Sequence, residues 1–249
     1  MIKKRIDQIL VEKKLVENRS KAQAMIMAGQ VYINNKLITK SGEKFNQNIN
    51  IKLKDLNPKW VSRGAYKLIH ALDYFEIDVK NMICLDLGAS TGGFSQVLLK
   101  RGAKKIFSVD VGTNQLHEKL KKEKKIISIE KTNAKFLSKS LINQKVDIIV
   151  CDVSFISMKK VLDPSFKFLN ENSKIIGLIK PQFEAKKNEL KKGIVKDNSV
   201  HKRICNIYIN WFKEDENFEY IGLVESPIQG PKGNREFLIY TNYYKNLKQ

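Results

Sequence analysis

Cysteine is scarce in this chain, and the three present, Cys84, Cys151 and Cys205, have neither the spacing of a disulfide framework nor that of a zinc site. Cys84 and Cys151 fall inside apolar runs and read as inert core thiols. Long apolar runs are also missing. A membrane span needs ~20 consecutive apolar residues, and the longest candidate, residues 146–156, is interrupted by Asp147 and Asp152. The opening MIKKRIDQIL is basic but has no apolar centre and no small-residue cleavage site, so it is not a signal peptide. These absences predict a cytoplasmic protein without membrane insertion. Acid is in short supply: 26 Asp+Glu face 46 Lys+Arg, a net charge of +20. Such a surplus points to a polyanionic partner; an anionic membrane surface is the other reading of a basic protein. No repeat or low-complexity tract is present, and no protein partner can be inferred.

What is there suffices for a real core. Hydrophobic residues make up 42% of 249, and the length suits one large domain or two unequal ones. The pattern divides near residue 58. Before it, Ile6, Ile9 and Leu10, then Ala22, Met25 and Ile26, recur at helical spacing. Gly29 would end the second helix, Val31-Tyr32-Ile33 reads as a strand, and Asn34-Asn35 suits a tight hairpin turn. Residues 1–57 hold 12 Lys+Arg against 5 Asp+Glu. Asn57-Pro58 breaks what precedes it. We therefore expect a small α+β domain over 1–57, a linker over 58–63 with Trp60 as a candidate anchor, and a large domain over 64–249.

In the large domain apolar runs at 82–87, 105–109, 126–129, 146–151 and 175–179 alternate with helical patterns such as 65–75, 94–101 and 155–169. This alternation predicts an α/β fold of the Rossmann-like kind, a parallel sheet between helices. The last segments, 220–225 and 236–241, have no long helix between them and suit a hairpin at the sheet edge. The charge run 119–125 reads as a solvated helix end.

A glycine loop follows the first strand: Asp86, Leu87, Gly88, Ala89, Ser90, Thr91, Gly92, Gly93, Phe94. A dinucleotide site wants G-x-G-x-x-G and a Walker loop wants G-K-[ST]; both are absent. Asp86 would repel a pyrophosphate and suits a cation. Asp110-Val111 ends the next strand, where an acid can hold ribose hydroxyls, and Asn133-Ala134 follows the third, where an adenine edge would lie. S-adenosylmethionine carries a sulfonium, an amine, a ribose and an adenine and no phosphate, and it fits this set as a cofactor. The bland alternative is a structural tight turn.

Four polar residues stand where buried elements do not call for them: Lys67 after Arg63-Gly-Ala-Tyr, Asp152 at the end of the fourth strand, Lys180 at the end of the fifth, and Glu236 at the start of a late strand. Strand carboxyl ends of an open α/β sheet share one crevice, so Asp152 and Lys180 share a rim with the glycine loop. Singly, each has an ordinary explanation; Asp152, for instance, could cap a following helix. Together, beside a methyl donor, they suit methyl transfer to a ribose 2′-OH. That hydroxyl needs a base, and a lysine amine brought down from its usual pKa of ~10.4 by burial and a second cation can serve. The chemistry needs no metal ion, because the departing thioether is neutral.

The motifs WVSRGAYKL (60–68), DLGASTGGF (86–94), VDVGTNQL (109–116), TNA (132–134), CDVSFIS (151–157), KPQFE (180–184) and GNREF (233–237) resemble the TlyA family of bacterial rRNA 2′-O-methyltransferases, historically called haemolysins. The resemblance implies an FtsJ-like catalytic domain whose Lys-Asp-Lys-Glu tetrad falls on Lys67, Asp152, Lys180 and Glu236. It implies an S4 RNA-binding domain through Arg5-Ile-Asp7, Ser20-Lys21-Ala22, Gly29-Gln-Val31 and Asn35. Arg5, Arg19, Ser20, Lys21 and Arg63 are then RNA-contact candidates. Where the S4 pattern usually has Ser-Arg, this chain has Ser20-Lys21, which keeps the charge and loses the fork. The implied activity is 2′-O-methylation of a cytidine ribose in rRNA or a ribosomal subunit. The short ends resemble the shorter TlyA type, associated with the large-subunit (23S) cytidine rather than with both 23S and 16S rRNA.

Three other readings stay open on the residues alone. A membrane-lytic haemolysin would need a span or a strongly apolar amphipathic helix. An S4-linked pseudouridine synthase would need an Asp in a Gly-Arg-Leu-Asp context, absent here. A non-catalytic ribosome assembly factor would have no use for an intact tetrad.

Overall fold

The structure, a computed structural model, describes residues 3–27, 30–34, 36–53 and 59–245. The chain forms two compact units, Met1–Lys59 and Trp60–Gln249. In the smaller, helices Ile6–Glu12 and Arg19–Met27 share a core with a three-stranded antiparallel sheet ordered Lys36–Ile38, Val31–Ile33, Ile51–Leu53. Ile6, Ile9, Leu10, Ala22, Met25 and Ile26 are all buried in it, as their helical spacing predicts. Val31–Ile33 pairs with Lys36–Ile38 across a tight turn in which Asn34 has φ 50°. Strand Lys3–Arg5 pairs separately with Lys44–Asn46. Gly29, Asn35, Asn57 and Pro58, singled out as stop, turn and break residues, lie outside the described residues.

The larger unit is built on a seven-stranded sheet. Its strands are β1 (Ile83–Leu87), β2 (Lys105–Val109), β3 (Ile126–Ile129), β4 (Val146–Cys151), β5 (Leu169–Ile179), β6 (Phe218–Glu225) and β7 (Phe237–Tyr244). Their spatial order is β6-β7-β5-β4-β1-β2-β3. The five strands β1–β5 run parallel, whereas β7 joins antiparallel between β5 and β6. The expected terminal hairpin is therefore present and inserted beside β5. The helices are α1 (Ala65–Tyr74), α2 (Gly93–Lys100), α3 (Glu118–Lys121), α4 (Lys159–Leu162), α5 (Pro181–Glu184) and α6 (Asn198–Glu214). One core cluster holds Leu68, Leu72, Val97 and Leu98 from α1 and α2; the other holds Val161, Ile204 and Phe212 from α4 and α6. A central parallel strand is thus covered on both sides, which is why these strands read as unbroken apolar runs.

Two segments differ from the sequence-based expectation. The helix expected over 155–169 is only α4, followed by 3-10 turns over Asp163–Phe168. Pro164 cannot donate a helical hydrogen bond, and Phe155 sits at φ 63°, a left-handed conformation outside any right-handed helix. The strand expected at 175–179 extends back to Leu169, because Asn172–Lys174 pair with Asn242–Tyr244 of β7. That pairing is made by the backbone, so polar side chains conceal it from a hydropathy pattern. Residues 60–63, expected as linker, pack into the larger unit: Trp60 is buried in its core, and Val61 N donates to Gln96 Oε1 at 2.7 Å.

Candidate active site

The loop between β1 and α2 turns at Gly88 (φ 81°), where a Cβ would come within 2.6 Å of the Asp152 carbonyl oxygen. Only glycine allows the two strand ends to lie this close. The Gly88 and Ala89 amides donate to Val109 O at 2.9 and 3.0 Å, and Asp152 N donates to Leu87 O at 2.9 Å. The carboxyl ends of β1, β2 and β4 are thereby gathered at one point.

Two cavities open there. The first, about 310 Å³, is walled by Arg63, Lys67, Gly88–Thr91 of the loop, Gly93, Phe94, Asp152, Ser154, Lys180 and Ile228–Pro231. The second, about 280 Å³, is walled by Val109–Val111, Thr132–Ala134, Asp152–Ile156 and Val161. They meet at Gly88, Ser90, Asp152 and Ser154. One lobe is apolar with acidic and amide edges, the other rich in charge.

Lys67, Asp152 and Lys180 line the charged lobe, and the fourth tetrad candidate, Glu236, is buried against Lys67. Lys180 is the residue before Pro181, which disfavours helical backbone there; it is extended (φ −115°, ψ 93°) and closes β5. Its Nζ is ion-paired with Asp152 Oδ1 and donates to Ser154 Oγ at 2.8 Å. Lys67 Nζ, from α1, donates to Glu236 Oε2 at 2.6 Å and lies 4.0 Å from Asp152 Oδ2. Glu236 has no exposed surface. The last β5–β7 pair is Ile179 with Phe237, so Lys180 and Glu236 stand one step beyond it on adjacent strands. Two lysines and two carboxylates sum to zero charge, which is how four charges tolerate a site this poor in water.

The loop acids divide. Asp110 lines the apolar lobe; its Oδ2 accepts from Ser90 N at 2.8 Å and its Oδ1 from Gly112 N at 2.7 Å. Asp86 lines neither lobe. It is fully buried, its Oδ2 accepting from Ser95 Oγ at 2.6 Å, while Oδ1 has no partner. Burial, before any neighbouring charge, pushes its carboxyl up to about 7. Gly92 (φ 93°) faces Leu116 and Leu120 rather than the cavities. Gly88, Ala89, Ser90, Gly93, Phe94, Val111, Asn133 and Ala134 all line the cleft. The fit to S-adenosylmethionine rests on the second lobe, where an apolar slot edged by Asp110 and Asn133 suits a nucleoside; Asp86, expected to meet the cationic end, is sealed away from both lobes.

Of the RNA-contact candidates, Arg63 lines the charged lobe. Arg5 and Arg19 are engaged elsewhere. Asp7, fully buried, accepts from Arg5 Nε at 3.1 Å and Nη2 at 2.9 Å, from Arg19 Nε at 3.0 Å and from Gln23 Nε2 at 3.1 Å. The Arg5 hydrogen bond above all holds the Asp7 carboxyl far below its usual range. Ser20 is exposed, and Lys21 Nζ pairs with Glu17 at 3.0 Å. Sequence reasoning missed Ser154, Gln182, the Ile228–Pro231 wall and Phe155. Phe155 is 89% exposed at the cleft and packs against Phe183 with ring centroids 4.8 Å apart and planes tilted by 52°. Ser154 and Gln182 lie inside the CDVSFIS and KPQFE motifs, each two residues past a tetrad member, which was the available signal.

The FtsJ-like methyltransferase family profile matches residues 60–243, and the S4 domain profile matches residues 4–48. Hemolysin A of Brachyspira hyodysenteriae is 43% identical, the match covering 95% of this chain and 98% of that protein. The 16S/23S rRNA (cytidine-2′-O)-methyltransferase TlyA of Mycobacterium tuberculosis is 36% identical over 95% of this chain and 88% of its own length. The chain belongs to the TlyA family of FtsJ-like methyltransferases. A solved structure of a protein described as a hemolysin from Streptococcus thermophilus superposes with a TM-score of 0.74 at 38% identity, covering 98% of this chain and 90% of that one. Membership accounts for the two lobes: a methyltransferase cleft holds a methyl donor and an acceptor side by side. Among the described residues no helix is long and apolar enough to cross a membrane.

Proposed function

We propose that this TlyA-family chain methylates the ribose 2′-OH of a cytidine in 23S rRNA, with 16S rRNA as the second substrate to test, and that it does so in the cytoplasm on rRNA or a ribosomal subunit. The observation that carries this is the meeting of an apolar, acid-edged lobe with the Lys67–Asp152–Lys180–Glu236 cluster. Residues 1–57 act as the RNA-binding domain and 64–249 as the catalytic domain, with 60–63 packed into the latter.

S-adenosylmethionine, which Gly88–Ser90, Gly93, Phe94, Asp110-Val111 and Asn133-Ala134 would hold, would supply an electrophilic methyl group. The chain's own residues do the rest. Lys180 takes the proton of the 2′-OH. Asp152 holds the Lys180 amine at the junction of the lobes, and Lys67, seated on Glu236, adds the second cation that keeps the cluster neutral. Much of the remaining advantage comes from holding hydroxyl and methyl in line.

Purified protein incubated with S-adenosylmethionine and 23S or 16S rRNA, followed by mass spectrometry of the nucleosides, should yield 2′-O-methylcytidine. Methylation of a base, or none with either rRNA, defeats the reading. Leakage of dye-filled anionic vesicles at the same protein concentration would instead support a lytic activity.

A further inference from the structure

Gln182 sits two residues past Lys180, in α5. Its side-chain Nε2 donates to Glu236 Oε1 at 2.9 Å, while Lys67 Nζ donates to Oε2 at 2.6 Å. A carboxylate with no exposed surface is thus gripped at both oxygens, by one cation and one neutral amide. The far end of that amide is unsatisfied: Gln182 Oε1 is buried and has no hydrogen-bond partner. Such orphans are rare, because an unpaired buried carbonyl is unfavourable. Rotation of the amide gives no relief, since it would set its oxygen against the Glu236 carboxylate. The orientation of Gln182 is therefore dictated by Glu236 at the expense of its own oxygen.

We propose that Gln182 is a positioning residue for methyl transfer. It fixes the Glu236 carboxylate, Glu236 fixes Lys67, and Lys67 faces Asp152, which holds the Lys180 amine. The inference rests on the tetrad reading above. Charge explains the residue type. Lys67 is shared between Glu236 at 2.6 Å and Asp152 at 4.0 Å, so its place depends on the balance of two acids. An arginine or lysine at 182 would neutralise Glu236 and release Lys67. A glutamate would add a third acid and draw Lys67 away from Asp152. An amide satisfies the free oxygen and leaves the sum of charges at zero. The same oxygen abuts the backbone at Gly230, where no Cβ fits, so Gln182 also steadies the wall of the charged lobe.

Gln182→Met keeps length and volume while removing both the donor and the orphaned oxygen. For the full chain with S-adenosylmethionine and an rRNA substrate, kcat should fall about 10- to 100-fold, the effect of a small misplacement of a catalytic group. KM for RNA and Kd for S-adenosylmethionine should stay within about twofold of the parent, because the effect is on the reacting geometry. The melting temperature should change little, since the loss of the orphaned Gln182 oxygen offsets the loss of the donor to Glu236 Oε1. Gln182→Glu should lose at least as much, and its loss should shrink as pH is lowered, because a protonated carboxyl can donate to Glu236 where a carboxylate cannot. In a Glu236→Gln background, Gln182→Met should cost less than about twofold more, since its route of action is already cut. A Gln182→Met protein with more than half the parental kcat, or one whose loss is undiminished in the Glu236→Gln background, overturns the proposal. Full turnover of Glu236→Gln itself brings down the tetrad reading and this proposal with it, whereas an inactive Glu236→Gln beside an active Gln182→Met brings down this proposal alone.

Discussion

Lys67 and Glu236 are 169 residues apart in the chain and 2.6 Å apart in the cleft. The pair ties the first helix of the larger unit to its last strand at the proposed catalytic cluster, so its place in the fold can be tested apart from its place in the reaction. Removing Lys67 strands Glu236 without a counter-charge, at about 3–5 kcal/mol; removing Glu236 leaves Lys67 with Asp152 at 4.0 Å; and replacing both by apolar groups of similar size is often neutral or better. Lys67→Met should lower stability by that order in urea denaturation, and Glu236→Leu by less. The double variant should recover most of it and remain inactive. Recovery of activity along with stability would show that the pair is purely structural.

Lys180 tests the proton transfer. Lys180→Ala should abolish methylation with cofactor and RNA affinities nearly unchanged, because the lost interaction forms at the transition state. Lys180→Arg should fail as well, since a guanidinium stays protonated. Only an unprotonated amine accepts a proton, so parental turnover should rise with pH under saturating substrates. If Lys180→Arg keeps most of the turnover, Lys180 merely positions, and the proton leaves to water after the methyl has moved.

Much of this architecture was legible before any coordinates. The runs at 105–109, 126–129 and 146–151 coincide with β2, β3 and β4 because parallel strands buried on both faces leave an apolar signature. Strands set by backbone pairing alone left none: the polar start of β5 and the smaller unit's strands other than Val31–Ile33 have too few apolar residues for a period. The false helix at 155–169 had the right apolar spacing, but Pro164 and the left-handed Phe155 overrode it. In the cleft, Lys67, Asp152 and Lys180 stood out as polar residues at helix and strand positions, and the resemblance assigned the tetrad. Burial was not legible. Nothing in the string distinguishes Asp110, on the cavity wall, from Asp86, sealed beneath the loop, or marks Asp7 as the buried centre of Arg5 and Arg19.

Asp86 gives the larger unit an unusual pH response. Its carboxyl titrates near 7 in the folded chain because burial disfavours the charge, against about 4 when unfolded. Between those values the native state keeps a proton that the unfolded chain has released, so stability falls as pH rises, by roughly 1 kcal/mol per unit. Urea midpoints of the cofactor-free protein should decline from pH 4.5 to 7, and Asp86→Asn should flatten that decline. The same substitution should leave S-adenosylmethionine binding nearly unchanged in calorimetry, because Asp86 lines neither lobe; a marked loss would show that the carboxyl reaches the cofactor. An unchanged affinity would assign Asp86 to the fold alone.

Asp7 works with the opposite sign, and it changes how RNA binding must be tested. Its carboxyl is held below its usual range by Arg5, Gln23 and Arg19, so its contribution is present above about pH 4, the unfolded value, and is lost as pH falls further. Acid titration followed through signals of the smaller unit should show that unit loosening below about pH 4. Neutralising Arg5 or Arg19 leaves a buried carboxylate short of partners and should destabilise the unit even without RNA, so lost RNA binding in those variants is not by itself a lost contact. Lys21 is free of this confusion, since among the described residues its amine pairs with exposed Glu17. Lys21→Ala should leave the fold unchanged and weaken RNA binding by a factor that shrinks as salt is raised, the mark of a phosphate contact. An Arg19→Ala/Asp7→Asn double variant removes charge and counter-charge together. If it folds and still loses RNA affinity, Arg19 touches RNA; if it folds and binds as the parent does, the arginines serve only Asp7.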